Sequence, residues 1–180
     1  MLHVNFTPFP FLSTPRLVLR PLTMADAPAL AALRSIEEMN RYIDRALFIS
    51  LEEAQNQVTR LNTGIANGTN AYWVVSYKTD DTLIGTCCLF NFSNDKLSAE
   101  IGYELHPLHQ GKGIAAEAVA AVVNYAVNTI GVKQLEAVIQ PGNVKSVALI
   151  SNLGFKLNEA ACKQAGLEDF DMYTLDVTMV

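Results

Sequence analysis

The run Gln110-Gly111-Lys112-Gly113-Ile114-Ala115 stands between an alternating strand and a long apolar helix. Glycines at 111 and 113 let a ligand approach the main chain with no side chain in the way. The helix that follows turns its unpaired N–H groups and the positive end of its dipole back at that turn. Together they make a phosphate cradle, with the Lys112 ammonium as a further candidate contact. The chemistry expected here is capture of a phosphorylated ligand. His106 and His109 flank the turn, but loop histidines are usually surface groups, and neither is given a catalytic role.

The strand before the turn carries the second candidate. Leu97, Ala99, Ile101, Tyr103 and Leu105 share one face, and Glu100, Gly102 and Glu104 share the other. Glu100, beside Gly102, is the candidate acid–base residue; the alternative is a solvent-facing strand carboxylate. Further on, Pro141-Gly142 ends a strand, Asn143 can cap a short helix, and Ser146 falls on that helix's first turn.

These groups must be positioned by regular elements. Residues 16–20 alternate and read as a first strand, ended by Pro21. Thr23 and Asp26 resemble a capping box for a short helix to about Arg34. Residues 41–49 are ambiguous. Ser50-Leu51-Glu52-Glu53 is a full capping box, and Leu51, Ala54, Val58, Leu61 and Ile65 behind it fall at helical spacing. Strands are expected at 71–77, 82–92 and 97–105, joined by short turns as an antiparallel meander. The helix after the glycines should run to about Ile130, with Val119, Val122, Val123, Ala126 and Ile130 facing the sheet and Gly131 as its stop. A strand at 133–139, a helix from Asn143 through Leu153, an extended stretch from Phe155 and a last strand at 173–179 complete the chain. Trp73, Tyr72 and Tyr77 are expected in the core.

At 180 residues the chain is expected to form one domain, 1–180. Hydrophobic residues make up 50% and charged residues 17%, which fits a globular chain. A net charge of −5 argues against non-specific nucleic-acid binding. Cys87, Cys88 and Cys162 have neither the number nor the spacing of a disulfide framework or a zinc site, so reduced thiols and no metal are expected. The N-terminal stretch holds Pro8 and Pro10 and lacks a basic start, and no run approaches a membrane span. A cytoplasmic location with no membrane partner is the expectation.

Two phosphorylated ligands compete for the turn. Gly111-Lys112-Gly113-Ile114-Ala115-Ala116 matches the dinucleotide pattern G-x-G-x-x-A, and Glu136 lies downstream. Against it, five residues (106–110) separate strand from glycine, the preceding strands form a meander, and Glu136 falls inside its strand. The second ligand is coenzyme A. Gln110-x-x-Gly113-x-Ala115 after Ala99-Glu100-Ile101-Gly102-Tyr103-Glu104-Leu105 resembles the pyrophosphate motif of the GNAT superfamily of N-acetyltransferases. Thr14-Pro15-Arg16-Leu17-Val18-Leu19-Arg20-Pro21 with Asp26 is similar to the opening of that family's ribosomal-protein N-acetyltransferase branch. Glu117-Ala118, Asn143-x-x-Ser146 and Leu153-Gly154-Phe155 are similar to its later motifs, and the likeness covers nearly the whole chain.

The resemblance implies an α/β (α+β) domain: a mixed, mostly antiparallel bent sheet of about seven strands flanked by about four helices. It implies that the strands at 97–105 and 133–139 part to admit the pantetheine arm. Backbone groups near Tyr103 and Leu105 would pair with the arm, Gln110 and residues 111–115 would hold the pyrophosphate, Asn143 would meet the arm from the other side, and Ser146 would lie near the sulfur. Many enzymes of the superfamily use a tyrosine placed after the Gly-Phe element as the acid. Here Gly154-Phe155 is followed by Lys156-Leu157-Asn158. Ser146, aided by the helix dipole, becomes the candidate for that role; the alternative is an ordinary early-helix serine. The implied activity is direct transfer of acetyl from acetyl-CoA to a primary amine, with a protein N-terminus favoured and a small amine as the alternative. A non-catalytic acyl-CoA sensor of the same fold is the rival reading. A monomer or a homodimer would serve equally.

Overall fold

The computed structural model describes residues 5–43, 50–93, 95, 97–166 and 169–177. Among the described residues eight strands form one sheet: β1 (Leu12–Ser13), β2 (Leu17–Pro21), β3 (Ala71–Tyr77), β4 (Asp80–Phe90), β5 (Ser98–Leu105), β6 (Gln134–Ile139), β7 (Lys156–Leu157) and β8 (Asp171–Asp176). Their order is β1-β2-β3-β4-β5-β6-β8-β7. Every neighbouring pair is antiparallel except β5 and β6, which run parallel. The helices are α1 (Ala27–Arg34), α2 (Glu37–Asn40), α3 (Leu51–Ala66), α4 (Ile114–Tyr125), α5 (Val144–Asn152) and α6 (Glu159–Ala165). The sheet is mixed and mostly antiparallel as expected; the additions, β1, α2 and α6, are short.

Local chemistry sets the ends of these elements. Ser50 Oγ accepts from the Glu53 amide at 3.1 Å, and Glu53 Oε2 accepts from the Ser50 amide at 2.9 Å, so the capping box opens α3. Asp26 closes the equivalent box with Thr23 one turn ahead of α1. After Tyr125 the chain widens into a π turn over Ala126–Ile130, and Gly131 ends it at φ 85°.

Two apolar layers hold the sheet. On one face Leu22, Ala27, Leu30, Leu33, Ala54, Val58, Tyr72, Val74 and Leu83 pack α1 and α3 onto the strands. On the other, Trp73, Leu17, Leu19, Leu89, Ile101 and Leu135 meet Ile114, Val119, Val122 and Ala126. Each fully buried large aliphatic contributes about 1.5–3 kcal/mol. Trp73 also donates its indole N–H to the Pro10 carbonyl at 2.8 Å, which seats the N-terminal segment on the α4 side. Tyr72 and Trp73 are core residues as expected, and Tyr77 is partly buried against the core.

Residues 44–49, most of the ambiguous 41–49 stretch, lie outside the described residues, as do 178–180 beyond β8. No helix among the described residues is long and apolar enough to cross a membrane.

Candidate active site

β5 leads directly into the glycine turn. His106 Nδ1 accepts from the Leu108 amide at 3.2 Å and opens a single 3-10 turn, Pro107–His109. His109 Nδ1 meets the Tyr77 hydroxyl at 3.2 Å. Both histidines thus serve to shape the loop. Gln110 Nε2 donates back to the Leu105 carbonyl at 3.0 Å, which folds the loop over the end of β5.

Gly111 and Gly113 both have φ +72°, and Gly113 is the N-cap of α4. A side chain at either position would be strained in this left-handed backbone, which β-branched residues avoid most. The first helical bond runs from the Glu117 amide to the Gly113 carbonyl at 3.0 Å, so the amides at 114–116 have no partner within the helix. A Cβ built on Gly111 would meet no atom within 4 Å, and one on Gly113 would meet only Arg16 Nη2 at 3.4 Å. Bare glycines, open space and aligned N–H groups fit a diphosphate. Lys112 Nζ donates to the Leu108 carbonyl at 2.9 Å across the same turn.

The cradle is braced from the far end of the sequence. Glu117, on the first turn of α4, accepts from Thr14 Oγ1 at 2.5 Å, from the Arg16 amide at 3.0 Å and from Arg16 Nε at 2.6 Å. Arg16 Nη1 also donates to the Lys112 carbonyl at 2.8 Å. Partial burial pushes the Glu117 carboxyl up, but the Thr14 and Arg16 hydrogen bonds outweigh it and hold it below its ordinary range. The two stretches Thr14–Arg16 and Glu117, far apart in sequence, therefore form one clamp.

Beside the cradle the sheet opens. β5 and β6 pair only at Ser98↔Gln134, Ala99↔Leu135 and Glu100↔Glu136. β5 continues to Leu105 and β6 to Ile139, so beyond residue 100 their facing edges have parted. This is the opening that the resemblance implies. Where β5 runs on without β6, the Tyr103 hydroxyl and Ser146 Oγ of α5 stand 2.5 Å apart. Asn143 Oδ1 accepts from the Ser146 amide at 3.2 Å, so its carbonyl is used as the N-cap of α5. Burial raises the Tyr103 phenol to about 12, against a smaller downward effect of its bond to Ser146, so the phenol is protonated at neutral pH. Lys145 Nζ reaches Gln110 Oε1 at 3.3 Å and links the α5 lip of the opening to the glycine loop. The family resemblance implies a role for the main chain near Tyr103 and none for its side chain, which falls on the apolar stripe of β5.

Glu100 forms the last ladder pair before the strands part, opposite Glu136. Asn91, held at φ 49°, donates its Nδ2 to Glu100 Oε2 at 2.9 Å. Burial raises the Glu100 pKa, Asn91 lowers it by less, and the Glu136 charge raises it again. Alternation along β5 puts Glu100 on the face opposite Tyr103 and Ser146.

Glu104, two residues past Gly102, is not solvent-facing. Arg34, the last residue of α1, donates Nε to Glu104 Oε1 at 3.1 Å and Nη2 to the Tyr72 hydroxyl at 2.9 Å. Tyr72 donates to Thr86 Oγ1 at 3.0 Å, and Thr86 to Glu104 Oε1 at 3.0 Å. Arg34 and Glu104 are each 8% exposed. Burial, then the Glu104 charge, pushes the Tyr72 phenol upward. The signal was available in the sequence: Arg34 occupies the helical row of Ala27 and Leu30, where an apolar residue belongs. Cys88 on the same face is raised to about 12 by burial and then by Glu104, and burial also raises Cys87; both are free thiols.

The profile of the family described as "Acetyltransferase (GNAT) domain" matches residues 16–156. An N-acetyltransferase of Bacillus licheniformis named p20, described as uncharacterized, is 30% identical over 160 residues, 89% of this chain and 86% of its own. Among solved structures, a ribosomal L7/L12 α-N-protein acetyltransferase, RimL, in complex with coenzyme A superposes with a TM-score of 0.80 at 19% identity, covering 93% of this chain and 98% of that one. FdhC, described as a nucleotide-linked sugar GNAT, superposes at 0.79 and 22% identity, covering 97% and 92%. The chain belongs to the GNAT family of acetyltransferases.

Proposed function

We propose that the chain moves the acetyl group of acetyl-CoA to a primary amine, and that the amine is the N-terminus of a protein or peptide. The observation that carries this is the parting of β5 and β6 between the glycine turn on one side and the Tyr103–Ser146 pair within. The bound donor supplies an activated thioester. Gln110 and the amides of 111–115 hold its diphosphate, the edge of β5 at Tyr103 and Leu105 guides its arm, and Asn143 flanks the arm while capping α5. Ser146 Oγ, backed by the Tyr103 phenol, is placed to protonate the departing sulfur. Preorganised main-chain donors on β5 would stabilise developing charge on the carbonyl oxygen by a few kcal/mol each.

Glu100 takes the proton from the incoming ammonium. A protein α-amine with pKa near 8 is about a tenth neutral at pH 7, whereas a lysine near 10.4 is neutral in roughly one molecule in 2,500. A modest base therefore suffices for an α-amine. Glu100 must be ionised to act, and its pKa lies above the ordinary carboxylate value. Turnover should rise with pH through that raised pKa, then again as the amine deprotonates. Glu100→Gln should remove the lower rise, keep the amine rise and lower kcat about 10²-fold, with acetyl-CoA affinity kept. A pH–rate profile checks this, and an unchanged rate would reduce Glu100 to a strand carboxylate.

The neighbour named as an α-N-protein acetyltransferase supports the peptide acceptor. The nucleotide-linked sugar enzyme of equal structural likeness favours a second reading, an amine on a small molecule. Free-thiol release with N-terminal peptides, small amines and a nucleotide-linked amino sugar separates them. Peptides should release coenzyme A fastest; release with the sugar amine alone selects the second reading, and release with none defeats both.

A further inference from the structure

The Arg34–Glu104–Tyr72–Thr86 cluster is costly in a way that core packing does not explain. A buried ion pair is seldom better than apolar residues of the same volume. Arg34 sits on the row of Ala27 and Leu30, both fully buried, where a leucine would pack as well. What the guanidinium adds is direction. Its Nε and Nη2 lock the end of α1 to β5 and β3 at 3.1 and 2.9 Å. The Arg34 carbonyl meanwhile accepts from Asn40 Nδ2 at 2.9 Å, and that amide also donates to the Ile36 carbonyl at 2.8 Å, which folds α2 back against the end of α1. Among the described residues, no buried side-chain nitrogen or oxygen in or around this cluster lacks a partner.

The segment fixed in this way reaches both lips of the opening. Met39 Sδ accepts from Gln110 Nε2 at 3.8 Å, on the glycine-loop side. The Tyr42 ring lies against Gly142, where a built Cβ would come within 3.3 Å of it, on the β6–α5 side just ahead of Asn143. The Arg41 guanidinium stacks over Tyr42, 5.5 Å from the ring centroid. Residues 35–42 therefore bridge the parted strands on the Glu100–Gly102–Glu104 face of β5.

Resting on the reading of the parted strands as the donor cleft, we propose that Arg34 is a positioning residue. Held by Glu104 and Tyr72, it fixes segment 35–42 as the acceptor's wall, and Tyr42 is the side chain of that wall that sets acceptor affinity. The donor's seat at residues 110–115 does not depend on it.

Removing Glu104 alone would leave the Arg34 charge buried and destabilise the fold. The informative variant is Arg34→Met with Glu104→Met, which removes both charges and keeps volume. It should melt close to the wild type and show the full acetyl-CoA-induced thermal shift, while its acceptor KM rises at least about tenfold, because small misplacements at a reacting centre cost up to 10²-fold. A wild-type acceptor KM in the folded double variant overturns the assignment. Tyr42→Ala, at the other end of the segment and outside the core, gives the second reading: acceptor KM raised and acetyl-CoA shift intact are expected, and no change in KM contradicts the wall. These outcomes are distinct from failure of the donor-cleft reading, which would appear as a wild-type chain that neither binds acetyl-CoA nor releases its thiol.

Discussion

Gly113→Val will abolish the thermal stabilisation that acetyl-CoA gives the wild-type chain. At about 100 times its dissociation constant, a ligand that binds only the folded state stabilises by about 2.7 kcal/mol. For a chain of this length that is about 5–11 °C in Tm. The substitution acts in two ways. Gly113 is the N-cap of α4 at φ +72°, and valine there forces the turn toward another backbone shape, which re-aims the amides at 114–116. Its branches would also occupy the space proposed for the diphosphate. The penalty to the ligand-free protein is local, because the Cβ position meets only the end of the Arg16 side chain at 3.4 Å. Differential scanning fluorimetry with and without acetyl-CoA reads the result. NAD should give the wild type no comparable shift. A Gly113→Val variant that keeps the 5–11 °C shift would mean that the donor is held elsewhere.

The second large effect belongs to Tyr103 and Ser146. Their oxygens stand 2.5 Å apart, and the phenol stays protonated to about 12. A positioned general acid is worth about 10²–10⁴ in rate. Tyr103→Phe with Ser146→Ala should lower kcat within that range. Each single change should already cause much of the loss, because groups that act as a unit are non-additive. Acetyl-CoA affinity should change little. The sign of the pH dependence is a separate check: a phenol raised this far donates a proton throughout the working range, so no alkaline loss from Tyr103 should appear near pH 10. A double variant that turns over within twofold of the wild type would remove the pair from the chemistry.

The parts of this account that depend on short-range patterns were readable in advance. The Ser50–Glu53 box, the 71–77 strand, the β5 alternation and the glycine turn with its helix each depend on residues within a few positions of one another. Even so, α6 escaped notice. It is capped by Asn158, whose Oδ1 accepts from the Ala161 amide at 3.0 Å, and closed by Gly166 at φ 66°, but its seven residues bury no apolar stripe. β1 is two residues long and has no periodicity to show.

At the site the division is the same. Glycines 111 and 113 announced themselves, whereas the Tyr103 phenol did not. Its partner is 43 residues away, and the alternation of β5 assigned its side chain to the core. Arg34 and Glu104 are 70 residues apart, and only the fold brings the two charges together. The clamp of Thr14 and Arg16 on Glu117 spans about a hundred positions, so neither stretch reveals the other. The parting of β5 from β6 was implied by family resemblance and not by any residue pattern, since it is a property of two strands separated by a helix.

The most direct test is a crystal structure of the acetyl-CoA complex. The diphosphate should lie on the amides of residues 111–115, with the arm between β5 and β6 and the sulfur beside Ser146. A fully occupied donor bound away from the start of α4, with the space between β5 and β6 empty, would contradict the account.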